Sequence, residues 1–242
     1  MIQVIDRCAD ILEILGAESG NSVSLSELAE RVGIQKSTCA NILKSLEQRG
    51  YVEHDGRRAG WRLGYKAYRL VNSPAYYEHL KSICSDALQT LFEKTGETVV
   101  LAVIIDNRRV VIDRRECQQG ITARIRHSGY LYLSATGRVI AAFYPERKRR
   151  MLIDRIGLPQ EEDWPGIDSR ERLEEEFAKI RSEGLARTSG ESGIVGIAVP
   201  LFYRGSAIAS IGICLPEFRL SAEVQRKIES ALKEAAGSLK FP

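Results

Sequence analysis

The chain is short of the residues and patterns that catalysis and metal binding need. Its 242 residues include three histidines, His54, His79 and His127, and none sits in a recognisable catalytic motif. No G-x-S-x-G, no phosphate-cradling P-loop and no zinc spacing occurs. The five cysteines, Cys8, Cys39, Cys84, Cys117 and Cys214, stand singly and are odd in number. That excludes a disulfide scaffold and fits unpaired, mostly buried thiols in a reducing cytoplasm. No catalytic residue, metal site or cofactor is expected. No apolar run approaches the length of a membrane span, so no membrane partner is expected. The opening stretch MIQVIDRCADILEILG is amphipathic and carries Asp6, Arg7, Asp10 and Glu13, which is not the pattern of a signal peptide. Net charge is only +3, too small to argue for nucleic acid by itself. Repeats and low-complexity tracts are absent too. What remains is ordinary globular material, 44% hydrophobic and 28% charged, long enough for two modest domains.

Local charge is more informative than the total. Residues 1–34 hold two basic and six acidic side chains, a net of −4, whereas residues 35–69 hold eight basic and three acidic, a net of +5. The sign changes inside SLSELAERVGIQKSTCANILKSLEQRGYVEHDGRRAGWRL, residues 24–63. Ser24 or Ser26 can cap a first helix with Glu27 in its first turn, and Leu25, Leu28, Ala29 and Val32 give its apolar face. Gly33 breaks the helix. In the run that follows, Ile34, Cys39, Ile42, Leu43 and Leu46 point one way; Gln35, Lys36, Ser37, Thr38, Asn41, Lys44 and Ser45 point the other. Gly50 ends that helix, and Tyr51-Val52 and Trp61-Arg62-Leu63 flank a turn-rich tip, Asp55 to Gly60. The order is helix, turn, helix, wing. The polar face has two lysines and no carboxylate before Glu47, so phosphate does not repel it from the major groove. Asn41 suits an adenine edge, Lys36 and Lys44 reach guanine or phosphate, and Arg57, Arg58 and Arg62 belong to the wing. The candidate DNA-binding residues are therefore Gln35, Lys36, Ser37, Thr38, Asn41, Lys44, Arg57, Arg58 and Arg62. A solvated helix beside a basic loop is the bland alternative.

Around this element the chain reads in order. Ile5, Cys8, Ile11, Leu12 and Leu15 give a first helix, Val4 to Leu15, packed as the third helix of the DNA-binding domain. After the wing a connecting helix runs to about Val71, a hinge falls near Asn72-Ser73-Pro74, and a long helix continues to Lys94. Tyr65, Tyr68, Tyr76 and Tyr77 serve either dimer contacts or packing within one chain. Strands are expected at 98–105, 110–114, 122–127, 185–188, 194–202 and 206–215, and helices from Ser134 to Pro145, on to Ile156, from Ser169 to Arg181 and from Ser221 to Leu239. The expected fold is α+β: a winged helix-turn-helix at 1–64, linker helices at 65–95 and, at 96–242, an antiparallel sheet with flanking helices. SGESG at Ser189 to Gly193 has the look of a catalytic loop, but such short patterns match by accident, and it reads as a pocket rim.

The segments RCADILEILG, LSELAERVGIQKSTCANILKSLEQRGYVE, RLGYKAYRL, EKTGETVVLAV, LSATGRVIAAFYP, RSEGLARTSGESGIVGIAVPLF and IGICLPEFRL together resemble the IclR family of bacterial transcriptional regulators over nearly the whole length. The resemblance implies a winged helix for double-stranded DNA and a GAF-like domain that binds a small effector, often a carboxylate or aromatic metabolite. It also implies homodimers, often joined into tetramers. Carried over by position, the effector site lies beneath Ala135 and Thr136, at a helix N-terminus suited to an anion. Gly196, Gly212 and Cys214 form its far wall, Thr188 or Ser189 its rim, and Leu131 and Leu133 its apolar lining. Three departures stand out. Gly137-Arg138 replaces the family's usual Gly-Lys, Asn41 replaces a frequent arginine, and Gly196 and Gly212 stand where relatives carry serine or cysteine. The last is expected to remove polar partners and add room for a bulkier effector. The expected function is a cytoplasmic, ligand-responsive repressor that reads a near-palindromic operator of a catabolic operon. The alternatives are an enzyme with a winged-helix docking module and a constitutive DNA binder without effector. The run Glu146 to Arg150 is expected to be a solvated helix face, or else a second nucleic-acid or tetramer contact. Cys214 is a redox sensor or, more simply, packing, and Arg124 and Arg126 are expected together on the outer face of a strand, or else against an acidic partner.

Overall fold

The computed structural model describes residues 2–18, 21–56, 60–71, 74–117, 126–189 and 193–241. The chain divides into two compact units, Met1–Tyr76 and Tyr77–Pro242. In the first, helix α1 (Gln3–Ala17) is followed by α2 (Leu25–Val32) and α3 (Lys36–Gln48). The boundaries follow local chemistry. Ser24 accepts from the Glu27 amide and caps α2, and Gly33 ends it at φ 72°, a backbone state that L-residues adopt reluctantly. Strands β1 (Val52–Asp55) and β2 (Gly60–Leu63) pair antiparallel as the wing, from Val52↔Leu63 to Asp55↔Gly60. Helix α4 (Tyr65–Val71) completes the unit. Its core is Ile11, Leu15, Val23, Leu28, Ala29, Cys39, Ile42, Leu43, Leu46 and Val52. Of the apolar stripe expected on α1, Ile11 and Leu15 are buried, but Ile5 is exposed beside Ile2 and Val4. The sequence also gave no sign of a bridge between Val23 and Trp61, whose amides each donate to the other's carbonyl at 2.8 Å.

In the second unit, α5 (Pro74–Thr95) leads into β3 (Thr98–Ile105) and β4 (Arg108–Arg115), turned through Asp106 and Asn107 at φ 48° and 59°. Next come β5 (Ser128–Tyr130), a 3-10 turn at Leu131–Leu133, and helices α6 (Ala135–Ala142), α7 (Glu146–Ile156) and α8 (Arg170–Glu183). Strands β6 (Ala186–Ser189), β7 (Ile194–Tyr203) and β8 (Ser206–Pro216) and helix α9 (Ala222–Ser238) finish the chain. Among the described residues the sheet has six antiparallel strands in the order β5-β4-β3-β8-β7-β6. Its two faces differ in residue size. One carries Val99, Leu101, Val103, Ile197, Val199, Ile211 and Ile213 into a core with α5 and α9. The other carries short side chains in register, Cys214 opposite Gly196 and Gly212 opposite Ala198, and α6 packs on that face.

Two expectations need correction here. The strand expected at 122–127 is not found at Arg126 and His127; regular pairing starts at Ser128, and residues 122–125 lie outside the described set. Ahead of Ser128, the Arg126 carbonyl accepts from the Arg109 guanidinium at 2.7 Å, and the His127 carbonyl accepts from the Val111 amide of β4 at 2.8 Å. Arg126 is therefore no outer-face strand residue, and Arg124 lies outside the described residues. Nor is the 146–150 run fully solvated. Arg149 is buried, with Nε 2.8 Å from both carboxylate oxygens of Glu174 and Nη1 2.8 Å from the Tyr144 carbonyl, and Lys148 lies over the Tyr144 ring. A buried guanidinium needs such a partner, and α8 supplies it across the helix pair.

Candidate nucleic-acid interface and ligand cavity

The outward face of α3 follows from its inward one. Burying Cys39, Ile42, Leu43 and Leu46 turns Gln35, Lys36, Ser37, Asn41, Lys44 and Ser45 to the exterior, with Thr38 half-buried at the edge. The Ser45 hydroxyl donates back to the Asn41 carbonyl at 3.0 Å, so one polar group on this face is held against the helix. On the wing, Arg62 pairs with Glu53 at 2.7 Å across the two strands. Its charge is therefore partly offset, unlike those of Lys36 and Lys44. Arg57 and Arg58 lie outside the described residues.

The second unit holds a cavity of about 680 Å³ between α6 and the short-side-chain face of the sheet. Ser134 builds its upper edge: the hydroxyl accepts from the Gly137 amide at 3.1 Å and the carbonyl accepts from Arg138 at 2.9 Å. Of the residues expected there, Leu133, Ala135, Thr136, Thr188, Ser189, Gly196, Gly212 and Cys214 do line it. Leu131 does not; it is fully buried in the α6–α8 core, because the 3-10 turn directs it beneath α6. The glycines also behave differently from expectation. A Cβ on Gly212 would lie 2.7 Å from Thr136 Cγ2, and one on Gly196 would lie 2.8 Å from Thr188 Oγ1. Neighbouring side chains already fill those spaces: Gly212 lets α6 approach the sheet, Gly196 makes way for the Thr188 side chain on the adjoining strand, and neither enlarges the cavity. Ser210 fixes that approach by donating to the Thr136 carbonyl at 3.1 Å.

Sequence reasoning missed three lining arginines, Arg109, Arg126 and Arg138, and two lining acids, Glu162 and Asp163. Arg138 is structural as well as lining. Its Nε donates to the Tyr132 carbonyl at 2.6 Å, its Nη2 to the Asp163 carbonyl at 2.7 Å, and it stacks 3.9 Å from the Trp164 ring centroid. Burial pushes its pKa down to about 10, so it stays charged at neutral pH. A lysine could not take its place: it has no planar fork to bond two carbonyls and stack at once. Cys214 is pushed up to about 11 by burial, which leaves a neutral thiol and argues against redox sensing. Among the described residues no cluster of His, Cys, Asp and Glu could hold a metal ion, and no helix is long and apolar enough to cross a membrane.

Comparison with known families matches residues 76–240 to the bacterial transcriptional regulator IclR C-terminal domain and residues 4–56 to the IclR helix-turn-helix domain. The chain belongs to the IclR family. It is a DNA-binding transcriptional regulator, with the winged helix and the cavity-bearing sheet domain in that family's order. The HTH-type transcriptional regulator Rv1719 of Mycobacterium tuberculosis is 32% identical to it, over 89% of this chain and 82% of the relative. The transcriptional repressor IclR of Escherichia coli K12 is 30% identical, over 76% of this chain and 68% of the relative. An IclR homologue from Microbacterium hydrocarbonoxydans, solved in complex with 4-hydroxybenzoate, superposes with a TM-score of 0.58 at 21% identity, covering 97% of this chain and 96% of that one. At that identity the likeness extends to the IclR fold alone. The resemblance carried by the quoted segments thus holds for family, fold and function class.

Proposed function

We propose that this IclR-family protein is a repressor whose α3 face reads operator DNA and whose α6 cavity binds the small molecule that controls it. One observation carries the reading. A polar helix face with two lysines stands outward in a winged helix-turn-helix, in the same chain as a sheet domain with an open cavity. Gln35, Lys36, Ser37, Thr38, Asn41 and Lys44 make the groove contacts, with Arg57 and Arg58 reaching phosphate from the wing and Arg62 held in reserve by Glu53. The effector rests among Leu133, Ala135, Thr136, Thr188, Ser189, Gly196, Gly212 and Cys214. It is a small carboxylate or aromatic metabolite, a class supported by the 4-hydroxybenzoate held by the Microbacterium homologue. Repression is supported by the name of the E. coli relative. The protein acts in the cytoplasm as a homodimer or tetramer, and two α3 helices related by a two-fold axis read a near-palindromic site. Effector binding shifts the population of DNA-competent dimers through the chain around Pro74. No cofactor and no catalytic step enters this reading.

The test is selection of duplexes from a random pool by the purified protein, followed by addition of 4-hydroxybenzoate as the first ligand probe. Enrichment of near-palindromic sequences, with half-sites about one helical turn of DNA apart, is expected. A pool that stays random through repeated rounds would contradict the proposal.

A further inference from the structure

We infer that Arg109 is the anion anchor of the α6 cavity, and that the effector is a monoanion whose carboxylate pairs with its guanidinium. The inference rests on the reading of the cavity as an effector site, and it selects acids over neutral aromatics within the class proposed above. Arg109 sits on β4, lines the cavity and is only 6% exposed. Its Nη1 donates to the Arg126 carbonyl at 2.7 Å, whereas its buried Nε has no acceptor. The other buried arginines of this unit are better provided: Arg149 has the Glu174 carboxylate, and Arg138 has two carbonyls and the Trp164 ring. Among the described residues no carboxylate lies within ion-pair distance of Arg109. Burial holds the guanidinium below its ordinary pKa, and the one neighbour opposing this is Cys214, a neutral thiol at pH 7.

A buried cation without a counter-ion is unfavourable in the empty protein, and a ligand that supplies one recovers the loss on binding. The planar fork suits a carboxylate. The opposite edge of the cavity favours the same group. With the Gly137 and Arg138 amides bonded to Ser134, those of Ala135 and Thr136 are left without intrahelical acceptors, and both residues line the cavity. Of the other lining cations, Arg138 is engaged by two carbonyls and Trp164, and Arg126 is exposed. Glu162 and Asp163 line the same space and disfavour a second negative charge.

The test pairs acids with their amides: benzoate with benzamide, 4-hydroxybenzoate with 4-hydroxybenzamide and propanoate with propanamide. Each is titrated into the full chain and into Arg109→Met and Arg109→Lys, followed by calorimetry and by melting temperature, with sodium sulfate matching ionic strength. The acids are expected to bind the wild type about 10- to 100-fold more tightly than their amides. Arg109→Met should lose that preference and Arg109→Lys should keep part of it. Empty Arg109→Met should melt no lower than wild type, since it sheds an unpaired buried charge. If that variant does not fold, the acid-to-amide ratio of the wild type and of Arg109→Lys still decides. Acids and amides binding alike, or an acid preference surviving in Arg109→Met, overturns the anchor and leaves the effector cavity standing. If neither acids nor amides bind, both readings fall.

Discussion

Gly137→Ala is expected to lower the melting temperature of the second unit by about 5 °C or more, while the unfolding of the winged-helix unit is unchanged. Alanine is the better helix former by about 1 kcal/mol, so propensity alone predicts stabilisation inside α6. Space decides otherwise. A Cβ at residue 137 would lie 2.2 Å from the Leu131 carbonyl oxygen and 3.0 Å from its carbon, and both atoms belong to the backbone. Neither can rotate away, so the 3-10 turn and α6 must separate, at an overpacking cost of about 3 kcal/mol. The net loss of about 2 kcal/mol corresponds to the stated drop for a unit of this size. The same displacement moves Ser134, Ala135 and Thr136, so ligand response should weaken together with stability. A two-transition melt by calorimetry checks this; an unchanged or raised second transition would show that the turn and the helix are not locked together.

Asn41→Ala is expected to relax base preference at one position in each operator half-site, by about 1–3 kcal/mol if its contact is bidentate. Asn41 is exposed near the middle of α3, and its backbone carbonyl is already occupied by Ser45. Its side-chain amide is uncharged, so the contact proposed for it would carry sequence information and not charge. Titration against a set of singly substituted operators checks this. Equal weakening on every sequence would make Asn41 a backbone contact, and sequence reading would then fall to Gln35 or Thr38.

The features read correctly from sequence are those set by neighbours along the chain. Ser24, Ser134 and Ser221 each cap the helix that follows, Gly33 and Gly184 close helices at positive φ, and the 3.6-residue period placed the faces of α2 and α3. The IclR resemblance then placed Leu133, Ala135, Thr136, Thr188, Ser189, Gly196, Gly212 and Cys214 at the cavity, but none of its charged lining. What stayed hidden depends on partners far away in sequence. Gly196 and Gly212 looked like added room because a sequence does not say what stands over a glycine; here it is Thr188 and Thr136. Arg149 looked solvated because Glu174 lies on another helix. Arg109 looked like an ordinary hairpin residue. Its one local signal is strand alternation, which puts it on the same face as the buried Val111. That signal carries weight only once the neighbouring strands and α6 are in place. Leu131 was misplaced because a single 3-10 turn reverses which side chain faces the core.

The most direct test of the DNA-reading face is the salt dependence of operator binding, measured by fluorescence anisotropy for the wild type and for the double variant Lys36→Ala, Lys44→Ala. If both ammonium groups meet phosphate, the logarithm of the binding constant falls steeply with the logarithm of salt concentration in the wild type, and the double variant reduces that slope by about 2. A slope unchanged by the two substitutions, or no binding to duplex DNA at low salt, would contradict the placement of α3 in the groove.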